Sequence, residues 1–300
     1  MNSMRSWLFV PGHKNRMVEK SLGLNVDSII LDIEDGVPPE EKQNARKLIS
    51  NALQTPRNSN TPSRFVRINA IGHERMEKDL ETILIPGLDG LVLPKVESVE
   101  EVENVQHILD AQESNFGIEP ETVSLLVAIE NPKGLLQSAN IASCKRVVGL
   151  MFGAEDFGHE LGLPMVREKE AQELIYARSN LVISAASANV QAVDGVWPNI
   201  DDVDGLWSDT YQARRLGFTG KSLFHPSQIE AINTIFSPSS KEVDYCKQVI
   251  EAFDKATGEG EGSIAFGGQL IDLPIVERAR RTVYLAGQME FTDRIEDSNQ

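Results

Sequence analysis

Eight short apolar runs, separated by helix-like segments, constrain this chain more than any other feature. They are SWLFVPG (6–12), SIILDIED (28–35), RFVRIN (64–69), GLVLPKV (90–96), SLLVAIE (124–130), VVGLMFG (147–153), VQAVDGVW (190–197) and GKSLFHP (220–226). Most are too apolar and β-branched to be surface strands, and parallel strands buried on both faces have this composition. Eight strands alternating with helices over about 230 residues is the pattern of a (β/α)8 TIM barrel. An open doubly wound sheet would carry a glycine-rich phosphate loop after its first strand. Here that turn is Pro11-Gly12-His13-Lys14. The expected fold is therefore α/β, with a barrel over 1–238 and a C-terminal helical extension over 239–300.

The segments between the runs carry helix signals. Residues 38–53 open with Pro-Pro-Glu-Glu, and proline and acidic residues are favoured at a helix start. Ser98 and Glu101 fit a capping box for a helix reaching about Leu109. Helical apolar spacing also marks 168–189, 201–216 and 227–236, the last with Ser227 as its expected cap. Beyond the eighth unit, helices are expected over 240–253 and 274–289. The stretch between them, GEGEGSIAFGG (258–268), reads as a flexible linker. It would let the last helix fold as a lid over its own barrel mouth or a neighbouring subunit's.

Bulk properties exclude several functions. A formal charge of −16 argues against non-specific nucleic-acid binding. It leaves room for an anionic small substrate, which needs only a local cluster of Arg and Lys. No apolar run approaches a membrane span, and MNSMRSWLFVPGHK has no signal-peptide architecture. The expected location is cytoplasmic, or an organelle reached by a segment absent here. Cys144 and Cys246 lack metal-ligand spacing and read as free thiols in a reducing compartment. No Ser-His-Asp set, zinc motif or P-loop is present.

In barrels of this type chemistry occurs at the C-terminal ends of the strands. Polar residues gather there at nearly every strand: His13, Glu34, Asp35, Arg67, Asn69, Lys95, Glu130, Glu155, Asp156, Asp194 and His225. Glu130 closes SLLVAIE, and Asp156 follows VVGLMFG by three residues. An unpaired buried carboxylate is costly. Two of them on neighbouring strand ends make an oxygen-rich site for a hard divalent cation such as Mg2+, and Mn2+ would suit the same oxygens. The competing reading for each is a helix N-cap, and Glu155 competes with Asp156 as the ligand. Arg67 in VRIN suits bidentate binding of a carboxylate, or a salt bridge to Glu34 or Asp35. Glu34 and Asp35 would order metal-bound water or fix Arg67. Lys95 suits a substrate contact or an ion pair, Asp194 is open between structure and chemistry, and His225 reads as a structural group.

These stretches, together with DSIILDIEDGV followed by Lys42 and Ala45-Arg46, AIENPKGL and GLMFGAEDF, resemble the citrate lyase β-subunit group of the HpcH/HpaI aldolase superfamily. That group includes malyl-CoA and citramalyl-CoA lyases. The likeness runs from about Arg5 to the last helix, with motifs in order at all eight strands. It implies a Mg2+-dependent C–C lyase that cleaves a 3-hydroxy-3-carboxy acyl-CoA thioester to acetyl-CoA and a 2-oxoacid, reversibly, in a homotrimer or hexamer. By motif, Glu130 and Asp156 become metal ligands and Arg67 binds the oxoacid carboxylate. Asp272 in LIDLP matches a C-terminal catalytic Asp that acts in a neighbouring subunit's site, its competing role being the cap of the last helix. Lys14, Lys42 and Arg46 would meet the CoA phosphates, or lie as exposed helix charges. Three rivals stay open: a malyl-CoA thioesterase, a citrate lyase subunit acting on an acyl-carrier-protein thioester, and a non-catalytic CoA-ester-binding protein.

Overall fold

The computed structural model describes residues 4–59, 61–164 and 171–297. All eight apolar runs form strands: β1 (Ser6–Pro11), β2 (Ser28–Asp32), β3 (Ser63–Arg67), β4 (Gly90–Leu93), β5 (Ser124–Ile129), β6 (Val147–Phe152), β7 (Gln191–Asp194) and β8 (Gly220–Leu223). Every neighbouring pair is parallel, and β8 pairs with β1, so the sheet closes into an eight-stranded barrel. The helices of this unit are α1 (Asn15–Ser21), α2 (Lys42–Leu53), α3 (Met76–Ile83), α4 (Val99–Gln112), α5 (Pro132–Ala142), α6 (Ala154–Glu160), α7 (Ile175–Ser187), α8 (Val203–Leu216) and α9 (Ile229–Phe236). The chain forms two compact units, one over Met4–Thr234 and one from Ile235 onward.

The barrel interior is filled from alternate positions of its strands. Trp7, Ile30, Phe65, Val92, Leu126, Ala128, Met151 and Val193 form one buried cluster. Trp7 meets Phe65 edge to face at 4.9 Å, a favoured aromatic geometry. Fully burying such side chains contributes roughly 1.5–3 kcal/mol each. Because strand side chains alternate with period two, the residue two beyond a core residue shares its face. Asp32 follows Ile30, Arg67 follows Phe65, and Glu130 follows Ala128 in this way. The pattern that packs the core thus aims three charged groups along the barrel axis at the strand ends.

Helix starts follow local chemistry. Ser98 caps α4 by accepting from the Glu101 N–H at 3.4 Å, and Glu101 returns the bond to the Ser98 N–H at 3.2 Å. The expected start at 168 falls outside the described residues as far as 170; the described helix there is α7. The helix after β8 is capped by His225, whose Nδ1 accepts from the Ser227 N–H at 3.3 Å, so Ser227 is not the cap. Pro226 explains the shift, since a proline at the first helical position leaves the preceding residue as the cap.

The second unit holds α10 (Ser240–Gly258), strands β9 (Ile264–Phe266) and β10 (Gln269–Ile271), and α11 (Leu273–Asp297). The glycine-rich stretch is therefore not a free linker throughout. Its last residues build an antiparallel hairpin whose turn, Gly267-Gly268, has φ of 56° and 80°, the left-handed backbone that two-residue hairpin turns require. Ile271 packs into a cluster with Val249, Phe253, Val276 and Ala279. Among the described residues no helix is long and apolar enough to cross a membrane.

Candidate functional site

Glu130 follows β5 immediately and is 5% exposed. The N-cap of α5 belongs instead to Asn131, whose Oδ1 accepts from the Gly134 N–H at 2.8 Å. Glu130 is thus excused from capping. Its Oε2 accepts the Lys95 backbone N–H at 2.8 Å. Lys95 presents that N–H from a left-handed conformation, φ 56°. Burial pushes the Glu130 carboxyl up to about 7, and repulsion from Asp156 and Glu34 adds to this against the opposing pull of Arg67. Room for the side chain comes from Gly153, where a Cβ would lie 2.3 Å from Glu130 Cγ.

Asp156 stands in the first turn of α6, half-buried, while the N-cap position is Gly153 with no side-chain cap bond. Both carboxylates face one cavity of about 410 Å³ at the strand ends, whose lining also includes Asp32, Arg67 and Glu155. A buried, protonation-prone carboxyl beside a second carboxylate is a donor set that a divalent cation would relieve, so the residues present fit such an ion. Among the described residues no group of three or more His, Cys, Asp or Glu side chains is placed to hold a metal. Two carboxylates, with remaining positions left to water and substrate, are the common arrangement for Mg2+.

Arg67 ends β3 opposite Asp32 in the parallel register. Asp32 receives it bidentately, Nε to Oδ1 at 2.7 Å and Nη2 to Oδ2 at 2.8 Å. Glu34 Oε2 lies 3.3 Å from Nη1, and the Phe9 ring packs 4.9 Å from the guanidinium carbon. Burial opposes the charge, yet Asp32, Glu34 and Glu130 outweigh it and hold Arg67 protonated. Of the five guanidinium N–H groups, the Asp32 bonds engage two, and Glu34 lies at ion-pair distance from Nη1, which leaves terminal N–H groups for a substrate carboxylate. Asp32 also accepts the Glu34 and Gly36 N–H groups, each at 2.9 Å. A Cβ at Gly36 would sit 2.3 Å from Asp32 Oδ2. Asp32 escaped the sequence reading; of the two partners that reading offered for Arg67, Glu34 is at ion-pair distance and Asp35 binds Lys95 instead. The signal was present: Asp32 is the one charged residue inside the run SIILD, in phase with Ile30.

Glu34 and Asp35 bind Lys95 Nζ at 2.7 and 2.6 Å. Lys95 therefore takes the ion-pair role, and these carboxylates keep its ammonium charged against the effect of burial. Asp194 belongs to a closed buried network. Arg178 grips it at 3.0 and 2.8 Å, and Lys221 bonds both Asp194 and Asp209 at 2.6 Å. Burial alone would raise the Asp194 pKa; Lys221 and Arg178 hold it below the usual carboxylate range. Its role is to tie α7, β7, β8 and α8 together.

Two expected phosphate contacts are corrected. The Lys42 ammonium is buried and donates to Ile33 O at 2.7 Å, Glu34 O at 2.8 Å and Asn69 Oδ1 at 2.9 Å. That uses all three donors of a lysine, and burial lowers its pKa. Arg46 is buried against Asp79 at 2.7 Å, and Asp79 in turn holds the Asn69 side chain at 2.6 Å. Both cations fasten the loops after β2 and β3 from within. Lys14 stays exposed at the start of α1. A second hollow of about 650 Å³ is lined by His13, already noted in the sequence at a strand end, and by His73 and Arg75, which the sequence reading passed over. Asp272 lies in the second unit, where its backbone oxygen accepts from Ile275 and Val276 N–H at 3.1 Å and its Oδ1 from Ile275 N–H at 3.3 Å. The capping role is thus occupied by this side chain.

A family described as HpcH/HpaI aldolase/citrate lyase matches residues 5–226. The citrate lyase subunit beta of Haemophilus influenzae is 37% identical over 281 residues, covering 93% of this chain and 96% of that one. The human mitochondrial citramalyl-CoA lyase is 33% identical over 293 residues, covering 94% and 85%. A (3S)-malyl-CoA thioesterase of Cereibacter sphaeroides is 34% identical over 280 residues, covering 93% of each. Among solved structures, the protein CitE of Mycobacterium tuberculosis in complex with magnesium, acetoacetate and coenzyme A superposes with a TM-score of 0.78 at 28% identity, covering 95% of this chain and 98% of that one.

Proposed function

The chain belongs to the HpcH/HpaI aldolase/citrate lyase family, and we propose that it is a C–C lyase. It would cleave a 3-hydroxy-3-carboxy acyl-CoA thioester to acetyl-CoA and a 2-oxoacid. The observation that carries this reading is the pairing, in one cavity, of a buried Glu130 facing Asp156 with an Arg67 oriented by Asp32. Glu130 and Asp156 would hold Mg2+, or Mn2+ in its place. Bound there, the ion supplies positive charge against an oxyanion developing on the substrate.

The chain's own groups do the rest. Arg67 offers its remaining terminal N–H groups to the substrate carboxylate and fixes the carbon that bears the hydroxyl. The hydroxyl gives its proton to a general base, a role that the family resemblance assigns to Asp272 of a neighbouring subunit. The electron pair of that O–H bond becomes the carbonyl of the 2-oxoacid. The bond between the hydroxyl-bearing carbon and the thioester α-carbon breaks, its electrons pass to the enolate of acetyl-CoA, and the enolate takes up a proton. The reverse is a Claisen-type condensation. Lys14, with Arg75 and His73 in the neighbouring hollow, would meet the CoA phosphates. The assembly is proposed as a homotrimer, to be checked by light scattering.

A thioesterase reading is favoured by the malyl-CoA thioesterase relative. One assay separates the two: malyl-CoA, citramalyl-CoA and citryl-CoA are incubated with Mg2+ and with excess chelator, and products are followed. Metal-dependent release of acetyl-CoA with a 2-oxoacid supports the lyase. Free CoA with an intact hydroxyacid identifies a hydrolase. Silence on all three in a folded, CoA-binding protein would sink both.

A further inference from the structure

Lys95 touches both halves of the site. Its main-chain N–H donates to Glu130 Oε2 at 2.8 Å, and its ammonium donates to Glu34 Oε1 at 2.7 Å and Asp35 Oδ2 at 2.6 Å. Glu34 Oε2 in turn lies 3.3 Å from Arg67 Nη1. One residue thus meets the expected metal carboxylate through its backbone, and the arginine through Glu34. Its φ of 56° is left-handed, a conformation that side-chain-bearing residues other than Asn and Asp rarely adopt. Glycine would hold the same turn at no steric cost, but it carries no ammonium. Helix α5 pins the loop from its other side: a Cβ at Gly134 would lie 2.2 Å from Val96 O, on the residue after Lys95.

We propose that Lys95 is a positioning residue for substrate binding: by holding Glu34, it keeps that carboxylate from competing for Arg67. This rests on the reading above in which Arg67 receives the substrate carboxylate. Among the described residues the buried Glu34 side chain has two cations at ion-pair distance, and it stands closer to Lys95 than to Arg67. Without the ammonium, Arg67 is the cation that remains. A buried charge short of a partner is unfavourable, so Glu34 closes on Nη1 and occupies an N–H that the substrate needs. Asp35 is largely exposed, and water replaces its lost partner. Every residue except proline supplies a main-chain N–H, so a changed side chain leaves the bond to Glu130 in place. The two contacts of Lys95 are therefore separable by mutation: acid binding depends on the side chain, and cation binding does not.

The test is a double-mutant cycle on the full chain, read by calorimetry. Wild type, Lys95→Met, Glu34→Gln and the double variant are titrated with Mg2+ alone, then with pyruvate or oxaloacetate at saturating Mg2+. Lys95→Met should bind the acids about 10-fold or more weakly, with Mg2+ affinity within about twofold of wild type. In the Glu34→Gln background, where no carboxylate competes, the same lysine replacement should change acid affinity by less than about twofold. Lys95→Gln, polar and uncharged, is the second variant and should show the same loss, so a Lys95→Met chain that fails to fold does not leave the question open. Unchanged acid affinity, an equal loss of Mg2+ affinity, or an undiminished loss in the Glu34→Gln background overturns the positioning role and leaves the lyase reading intact. A wild type that binds neither acid with Mg2+ present overturns the role of Arg67 and this inference with it.

Discussion

Replacing Glu130 by Gln tests the electrostatics of the site directly, in the metal-free protein. The swap keeps the shape of the side chain and an oxygen that can accept the Lys95 N–H, and removes the titrating proton. In the unfolded chain a glutamate releases its proton near 4.5, whereas folded Glu130 holds it until about 7, chiefly because it is buried. Between those values the folded state binds more protons than the unfolded state, so stability falls as pH rises. The loss is absent below about 4.5 and complete above about 7. At about 1.4 kcal/mol for each tenfold change in proton affinity, that rise costs the wild type on the order of 3 kcal/mol at high pH. The variant carries no such penalty.

The assay is urea unfolding in chelator from pH 4.5 to 8.5, followed by tryptophan fluorescence. All three tryptophans, Trp7, Trp197 and Trp207, lie in the barrel unit, so the signal reports that unit. Glu130→Gln should match the wild type at the acid end and exceed it by about 3 kcal/mol at the alkaline end. Adding Mg2+ at pH 8 should then restabilise the wild type, because a ligand that binds only the folded state adds to stability, and should do little for the variant. A stability difference that stays constant across the pH range would refute the claim that Glu130 is a buried carboxylate under electrostatic stress.

Four further outcomes follow from single contacts. Asp32→Asn removes the charge that holds Arg67 and should lower kcat/KM by roughly 10- to 100-fold, with circular dichroism unchanged; steady-state kinetics checks it. Gly153→Ala drives a Cβ to within 2.3 Å of Glu130 Cγ, and should cost about 1–3 kcal/mol in urea unfolding and weaken Mg2+ binding in calorimetry. Asp272→Asn should depress turnover while leaving CoA-ester affinity within about twofold, and unchanged turnover would remove it as the base. Lys221→Met leaves Asp194 and Asp209 sharing Arg178 in a buried space, and should destabilise the barrel by roughly 3–5 kcal/mol.

The fold was legible because a strand buried on both faces has no choice of composition. Every one of the eight apolar runs became a strand of the closed barrel, and the breaks between them marked the turns. Boundaries were readable where a short-range bond sets them, as Ser98 and Glu101 do for α4. They were misread where two polar residues compete within three positions, as His225 and Ser227 do after β8. The glycine-rich stretch was misread for a related reason: composition reports freedom, but Gly267-Gly268 uses that freedom for a hairpin turn that burial of Ile271 stabilises.

The site divides along a different line. A carboxylate at the end of a buried strand stands out in one dimension because its cost is local, and Glu130 was visible for that reason. Whether a basic residue reaches solvent or turns inward depends on what stands opposite it, and that is a fact of tertiary register. Lys42 and Arg46 sit on α2 four residues apart and would look alike on any exposed helix face. Their targets, Asn69 and Asp79, come from the β3–α3 connection and helix α3. Asp32 and Arg67 lie 35 positions apart and meet only because β2 and β3 pair in parallel. Period-two phase from Ile30 and Phe65 tells which face each occupies, but not that the two share a rung. A cation expected at the surface is therefore the reading most exposed to error in a barrel. Its mouth assembles loops from eight separate places in the chain, and each brings backbone carbonyls that a buried ammonium can satisfy as well as a phosphate can.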